Sequence, residues 1–263
     1  MNSTCLNDYE FKIFSQFGDD GIIQYLIKHL SIKNKTFIEF GVENYLESTT
    51  RFLMMNNLWS GFVMDGSKSF MDSLQNQPWY WKHQLLHKAA FITRENINGL
   101  IEESGFSDIG LLHIDIDGND YHVLEAMDFT KLNPSILIME YNSVFGMDRA
   151  ISTPYRPDFY RTKAHFSNLY FGASLPALDY LADKKGYSLI GGNLAGNNAY
   201  FVRKDLLNSK ISACSLEEAF QESQFMESRD ENSQLTFLRG EQRIKEIQGL
   251  DVINVISGQL EKL

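Results

Sequence analysis

Five short apolar runs, each followed by a polar stretch, narrow what this chain can fold into. They are TFIEFGV (36–42), SGFVMDGS (60–67), HKAAFIT (87–93), IGLLHIDID (109–117) and PSILIMEYN (134–142). Helical spacing lies between them in Leu46 to Leu58, Glu95 to Ser104 and Tyr121 to Phe129, with Asn96 placed to cap the second. Strands that alternate with helices pair in parallel, and helices cover both faces of the sheet. An α/β fold is therefore expected.

Beyond Asn142 the pattern changes. Residues 143–172 are irregular and hold Pro154, Arg156, Pro157, Arg161, Lys163 and His165. A connection of that length is usually functional or disordered. A helix over Ala173–Lys185 then leads to GYSLIGG and NNAYFVR, joined by NLAGN, a Gly/Asn link that suits a hairpin and an antiparallel last strand. Residues 14–29 read as a polar turn and a helix, and helical stretches are expected at 215–226 and 240–247. One domain is expected over 1–263. It divides into an N-terminal helical cap (1–35), a ligand-binding core (36–142), an insertion (143–172), the end of the sheet (173–204) and a C-terminal helical extension (205–263).

The chain has 24 Lys and Arg against 34 Asp and Glu, a net charge of −10, with no long basic run. That balance argues against nucleic acid and anionic membranes, which need clustered cations. No stretch approaches the roughly 18 apolar residues of a membrane span, and the start of the chain is too polar for a signal peptide. Cys5 and Cys214 have neither metal-site nor disulfide-framework spacing. These features lead us to expect a soluble cytoplasmic protein, and a homo-oligomer is compatible with them.

In open α/β sheets ligands bind beyond the carboxyl ends of the strands. The first run ends in Glu39-Phe40-Gly41-Val42-Glu43-Asn44, an acid-x-Gly turn without the full glycine pattern of a pyrophosphate site. The second ends in Asp65-Gly66-Ser67, where an acid can hold a ribose diol. Together they favour a nucleoside ligand, with S-adenosylmethionine preferred over NAD. The fourth run carries Asp115 and Asp117, and Asp120 follows it. Like charges so close need a cation, a donor or a proton to offset them. Asp120 reads as a helix first-turn acid, and His113 as a packed core histidine.

HIDIDGNDYHVLEAM resembles the I-D-V-E-G-x-E-x-x-V-L-x-G segment of FkbM-like methyltransferases, with Asp at positions 117 and 120 and Ala126 in place of the glycine. PSILIMEYN resembles the fifth strand of that family. SQFGDDGI, YFGASLPALDYLADKKGYSLIGGN and NNAYFVR resemble bacterial methyltransferases found with capsule and surface-polysaccharide genes. The resemblance implies a Rossmann-like class I methyltransferase sheet of five parallel strands plus an antiparallel hairpin strand, with S-adenosylmethionine as cofactor. It implies Glu39, Gly41 and Asn44 near the methionine part of the cofactor. Asp65, with Gly66 and Ser67, would lie at the ribose, and Asp115 at the cofactor amino group. Ser15 and Gln16 would close the site from the N-terminal side.

The expected reaction is O-methylation of a sugar, nucleotide-activated sugar or other capsule precursor. Asp117, Glu140 and Asn142 are the candidates for removing the acceptor proton, directly or through Mg²⁺ bound by Asp117 and Glu140. His165 is a candidate acceptor contact. Arg156, Arg161 and Lys163 could grip a phosphate or form a solvated loop. Two alternatives stay open: a metal-dependent glycosyltransferase using Asp115-Ile116-Asp117 as its D-x-D, and a methyltransferase-like binding protein without catalysis.

Overall fold

The computed structural model describes residues 5–263. In chain order the strands are β1 (Thr36–Phe40), β2 (Ser60–Asp65), β3 (Leu85–Ala89), β4 (Leu111–Ile114), β5 (Ile136–Glu140), β6 (Ile151–Ser152), β7 (Tyr187–Gly192), β8 (Asn198–Arg203), β9 (Asp251–Asn254) and β10 (Gln259–Lys262). The helices are α1 (Asp19–His29), α2 (Arg51–Asn57), α3 (Lys68–Leu74), α4 (Ile97–Glu102), α5 (Asp120–Ala126), α6 (Phe129–Leu132), α7 (Arg161–Ala164), α8 (Leu175–Lys184), α9 (Leu216–Ala219) and α10 (Glu241–Glu246).

Seven strands form one sheet in the order β3-β2-β1-β4-β5-β8-β7. β1 to β5 are parallel, and β8 runs antiparallel between β5 and β7. This is the expected class I methyltransferase sheet, with the chain order reversing between β1 and β4, where such sheets bind ligands.

Side-chain alternation gives the sheet two faces. Ile38, Phe40, Leu112, Ile114, Leu137 and Met139 face one way, into a core closed by α5 and α8. Phe37, Leu111, Ile136, Ile138, Tyr200 and Val202 face the other, against Ile22, Ile23 and Leu26 of α1 and Leu53 and Met54 of α2. Ser174 caps α8 by accepting a hydrogen bond from the Ala177 amide, with a proline in the first turn.

The chain beyond 205 is not a helical extension. Its helices are single short stretches, and β9 and β10 form an antiparallel hairpin that joins β6 in a second, three-stranded sheet. Phe145, Ile151, Leu169, Ile247 and Val252 form its small core, so the insertion and the C-terminal segment pack together. β10 reads QLEK with mostly exposed side chains, which leaves no apolar alternation to reveal it in the sequence.

Candidate active site

Strand register builds a polar row on the face covered by α1 and α2. Glu39 of β1 is paired with His113 of β4, and Glu140 of β5 with Asn198 of β8. Because Ile114 pairs with Met139, Asp115 follows β4 beside Glu140. Glu39 is buried and saturated. It accepts from the Ser48 hydroxyl at 2.6 Å, the Thr49 and Thr50 amides at 3.0 and 3.1 Å, the Thr50 hydroxyl and His113 Nδ1 at 2.9 Å. Burial works to raise its pKa, but the bonds from His113, Ser48 and Thr50 hold it below the usual carboxylate range. Burial works to lower the His113 pKa, and the carboxylates of Glu39, Asp115 and Asp19 outweigh it, so this imidazole is more basic than usual.

The three acids of the fourth strand end hold three different things. Asp120 accepts from the Ile116 and Gly118 amides, both at 2.8 Å, and so ties the loop it follows. Asp117 has left the strand, with φ at +55°, and its exposed carboxylate accepts from Arg161 Nη1 at 2.7 Å. Asp115, partly open to the cavity, pairs with buried Glu140. Burial, then the charge of Asp117, pushes the Asp115 carboxyl up to about 7. Burial, then Asp115 and Asp117, pushes Glu140 well above its ordinary value. Two coupled acids of this kind hold a proton between them near neutrality. One oxygen from each of Asp115, Asp117 and Glu140 lies within 4.8 Å of the others, close enough to surround a cation.

These groups line a cavity of about 770 Å³ at the carboxyl edge of the sheet. At one end stand Asp65, Gly66, Ser67, Phe70 and Phe91. Asp65 accepts from the Glu43 amide at 2.8 Å and the Ser67 amide at 2.7 Å, which fixes both oxygens while leaving each a free lone pair. Gly41 has φ at +75°, and a Cβ there would come within 1.5 Å of the Asp115 carbonyl oxygen, so only glycine lets the β1 and β4 loops meet. The insertion supplies Phe159, Tyr160, Arg161, Thr162 and Asn168, with Tyr160 lying 5.2 Å from Phe91 between ring centres. At the other end Gln16 and Phe225 line the mouth, and Phe225 stacks on Phe17 at 6.2 Å.

Glu39, Gly41, Asp65, Gly66, Ser67, Asp115, Asp117, Glu140 and Gln16 therefore reach one cavity, as the sequence suggests. Four other candidates do not line it. Ser15 is buried in a turn, where its amide and hydroxyl both donate to Asp20. Asn44 accepts from the Leu46 amide at 2.9 Å in a local turn. Asn142 accepts from the Val144 amide and donates to the carbonyls of Leu169 and Phe171, bracing the insertion from below. His165 bonds through Nδ1 to the Ser167 hydroxyl at 2.8 Å. Each is short and polar enough to satisfy its own backbone neighbourhood, which residue type alone does not reveal.

The structure adds residues that the sequence reading passed over. Asn198 donates to Asp19 at 2.9 Å, while its Oδ1 is buried without a partner. Asn119 Oδ1 and His113 Nε2 are likewise buried and unpartnered, and all three residues line the cavity. Glu227, beyond β8, also lines the cavity and sits 3.6 Å from Arg161. The doublet Asn197-Asn198 at the start of β8 was the one signal available, since paired amides are a poor choice for a buried strand.

Residues 63–188, from β2 to the start of β7, match the Methyltransferase FkbM domain. Among solved structures the chain is similar to M. capricolum TrmK in complex with S-adenosyl-homocysteine, at 11% identity and a TM-score of 0.42, over 73% of this chain and 70% of that one. An S-adenosylmethionine-dependent methyltransferase from Clostridium acetobutylicum aligns at 9% identity and a TM-score of 0.43, over 70% and 89%. The CurJ carbon methyltransferase aligns at 10% and 0.42, over 72% and 55%. No curated protein matches the chain in sequence. Among the described residues no helix is long and apolar enough to cross a membrane. The domain match displaces the D-x-D glycosyltransferase reading, and Asp117 is engaged with Arg161 instead. The domain match over just under half of the chain, together with the sheet order, supports an FkbM-like class I methyltransferase.

Proposed function

We propose that the protein moves a methyl group from S-adenosylmethionine to a hydroxyl oxygen of a sugar-like acceptor. The observation that carries this reading is the Asp115–Glu140 pair in a chamber that is also lined by Asp65, Phe70 and Phe91. The residues suit the cofactor. The free lone pairs of Asp65 match a ribose diol, Phe70 and Phe91 offer faces to an adenine, and the Asp115 side answers positive charge. Bound S-adenosylmethionine supplies an activated methyl on a sulfonium.

The chain's own part is alignment and proton handling. Asn198 and Asn119 present unpartnered acceptors to an acceptor hydroxyl. Asp115, ionised near neutral pH, takes the hydroxyl proton as the oxygen–carbon bond forms and the sulfur–carbon bond breaks. Glu140 keeps its own proton and hands Asp115 a hydrogen bond. Asp117 becomes a positioning residue that holds Arg161 across the mouth.

A second reading places Mg²⁺ among Asp115, Asp117 and Glu140, whose three oxygens are of the type this ion prefers. It requires Asp117 to release Arg161. The test of the proposal is calorimetry with S-adenosylhomocysteine, followed by isotope-labelled methyl transfer to a panel of glycosides. Micromolar cofactor binding and label on a glycosyl oxygen are expected. Absence of any cofactor binding sinks the proposal, and so does label found only on carbon or nitrogen.

A further inference from the structure

The charges around the cavity do not balance, and the imbalance bears on what the acceptor can be. Glu39 is paired with His113, Glu47 with Lys12 at 2.8 Å, and Asp117 and Glu227 with Arg161 at 2.7 and 3.6 Å. Glu43, Asp65, Asp115 and Glu140 line the same cavity and form no ion pair among the described residues, although the charges of His113 and Arg161 reach Asp115 and Glu140 respectively. Among the described residues Arg161 is the one lysine or arginine in that wall, and two carboxylates already hold it. The other cations of the insertion stay outside. Arg156 pairs with Asp158 at 3.4 Å, and the Lys163 ammonium lies over the Tyr160 ring at 4.7 Å.

A nucleotide-activated sugar would bring two phosphate charges into this wall with no free guanidinium or ammonium to meet them, whereas phosphate sites are built from such groups. S-adenosylmethionine brings one net positive charge and leaves most of the acid excess unanswered. The unpartnered groups point the same way. Oδ1 of Asn198 and Oδ1 of Asn119 belong to side chains more than nine-tenths buried, and both are acceptors that lack a hydrogen. Buried polar atoms are nearly always satisfied, so these two are suited to O–H or N–H groups of a ligand.

We infer that the acceptor is a polyhydroxylated glycosyl unit carrying no phosphate or carboxylate into the cavity, with an amino group favoured over a neutral one. This rests on the methyl-transfer reading above and narrows its substrate. It replaces the nucleotide-activated sugar expected from the sequence. The reaction that supplies the substrate is then one that has already moved the glycosyl unit off any phosphate carrier.

The experiment uses the full chain saturated with S-adenosylhomocysteine, titrated in a calorimeter with methyl glucosaminide, methyl glucoside and uridine diphosphate glucose. Failure of the first step, cofactor binding, counts against the methyltransferase reading and not against this inference. With cofactor bound, the glucosaminide should bind tightest and the uridine diphosphate sugar at least tenfold more weakly than either glycoside. Asp115→Asn should reduce the preference for the amine about tenfold. Tightest binding by the diphosphate sugar overturns the inference. So does the lack of binding by all three, because the glycosyl class itself is then wrong.

Discussion

Replacing Asp115 with Asn should make the protein more stable at pH 8 while abolishing methyl transfer. The Asp115 carboxyl, ordinarily near 3.8, is pushed up to about 7 by burial and by the charge of Asp117. Between those two values the folded chain holds a proton that the unfolded chain has released. Stability is therefore greatest below about pH 4, falls as pH rises to about 7, and is level above that. At 1.36 kcal/mol per pH unit, ionising this group in the fold at pH 8 costs about 4 kcal/mol at most. Asparagine keeps the shape without the charge but weakens the hydrogen bond with Glu140, which offsets about 2 kcal/mol. The net gain is about 2 kcal/mol, or a Tm higher by about 4–8 °C in a chain of this size. The same balance makes the gain vanish near pH 5. Thermal unfolding of both proteins at pH 5, 6.5 and 8 measures it. A variant less stable than wild type at pH 8, or one with an equal gain at pH 5 and pH 8, would refute the reasoning.

Three further outcomes are expected. Asp65→Ala should weaken S-adenosylhomocysteine binding by about 1–3 kcal/mol in calorimetry, the loss typical of hydrogen bonds to a charged group, and an unchanged Kd would remove Asp65 from the cofactor site. A chelator should leave labelled methyl transfer within about twofold, because Arg161 already compensates Asp117; activity lost with chelator and restored by Mg²⁺ would establish the metal reading instead. Gly41→Ala should lower stability by about 2 kcal/mol or more, since its Cβ meets the Asp115 carbonyl oxygen at 1.5 Å in a left-handed backbone, and a wild-type melting curve would show that the loops meet differently.

The sheet was legible because each of its strands buries at least one face, and burial leaves a run of apolar residues ended by turn residues. The same reasoning located Glu39, Asp65 and Asp115, because strand ends carry ligands and strand ends can be counted. It misplaced Asn142 and His165 because whether a polar side chain faces a cavity or its own backbone depends on the path of the insertion, which has no periodicity. Asp117 is an intermediate case. Alternation put it on the same side as Asp115, but β4 stops at Ile114, and a positive φ turns Asp117 out to Arg161. Apart from the Asn197-Asn198 doublet, Asn198 became visible through the antiparallel register that sets it beside Glu140. The second sheet was hidden because β6 is two residues long and β9 and β10 are largely polar.

The stacking of Phe17 on Phe225 joins two pieces of chain that lie at opposite ends of the sequence and outside the residues that match the family. The sheet and its acids form the fixed floor of the chamber, while its doorway is made of segments that no strand pairing constrains. Substitutions at the doorway can reshape what enters without disturbing the floor where the proton moves. Relatives that share the floor are then free to diverge in diet, each retailoring a doorway around the same chemistry.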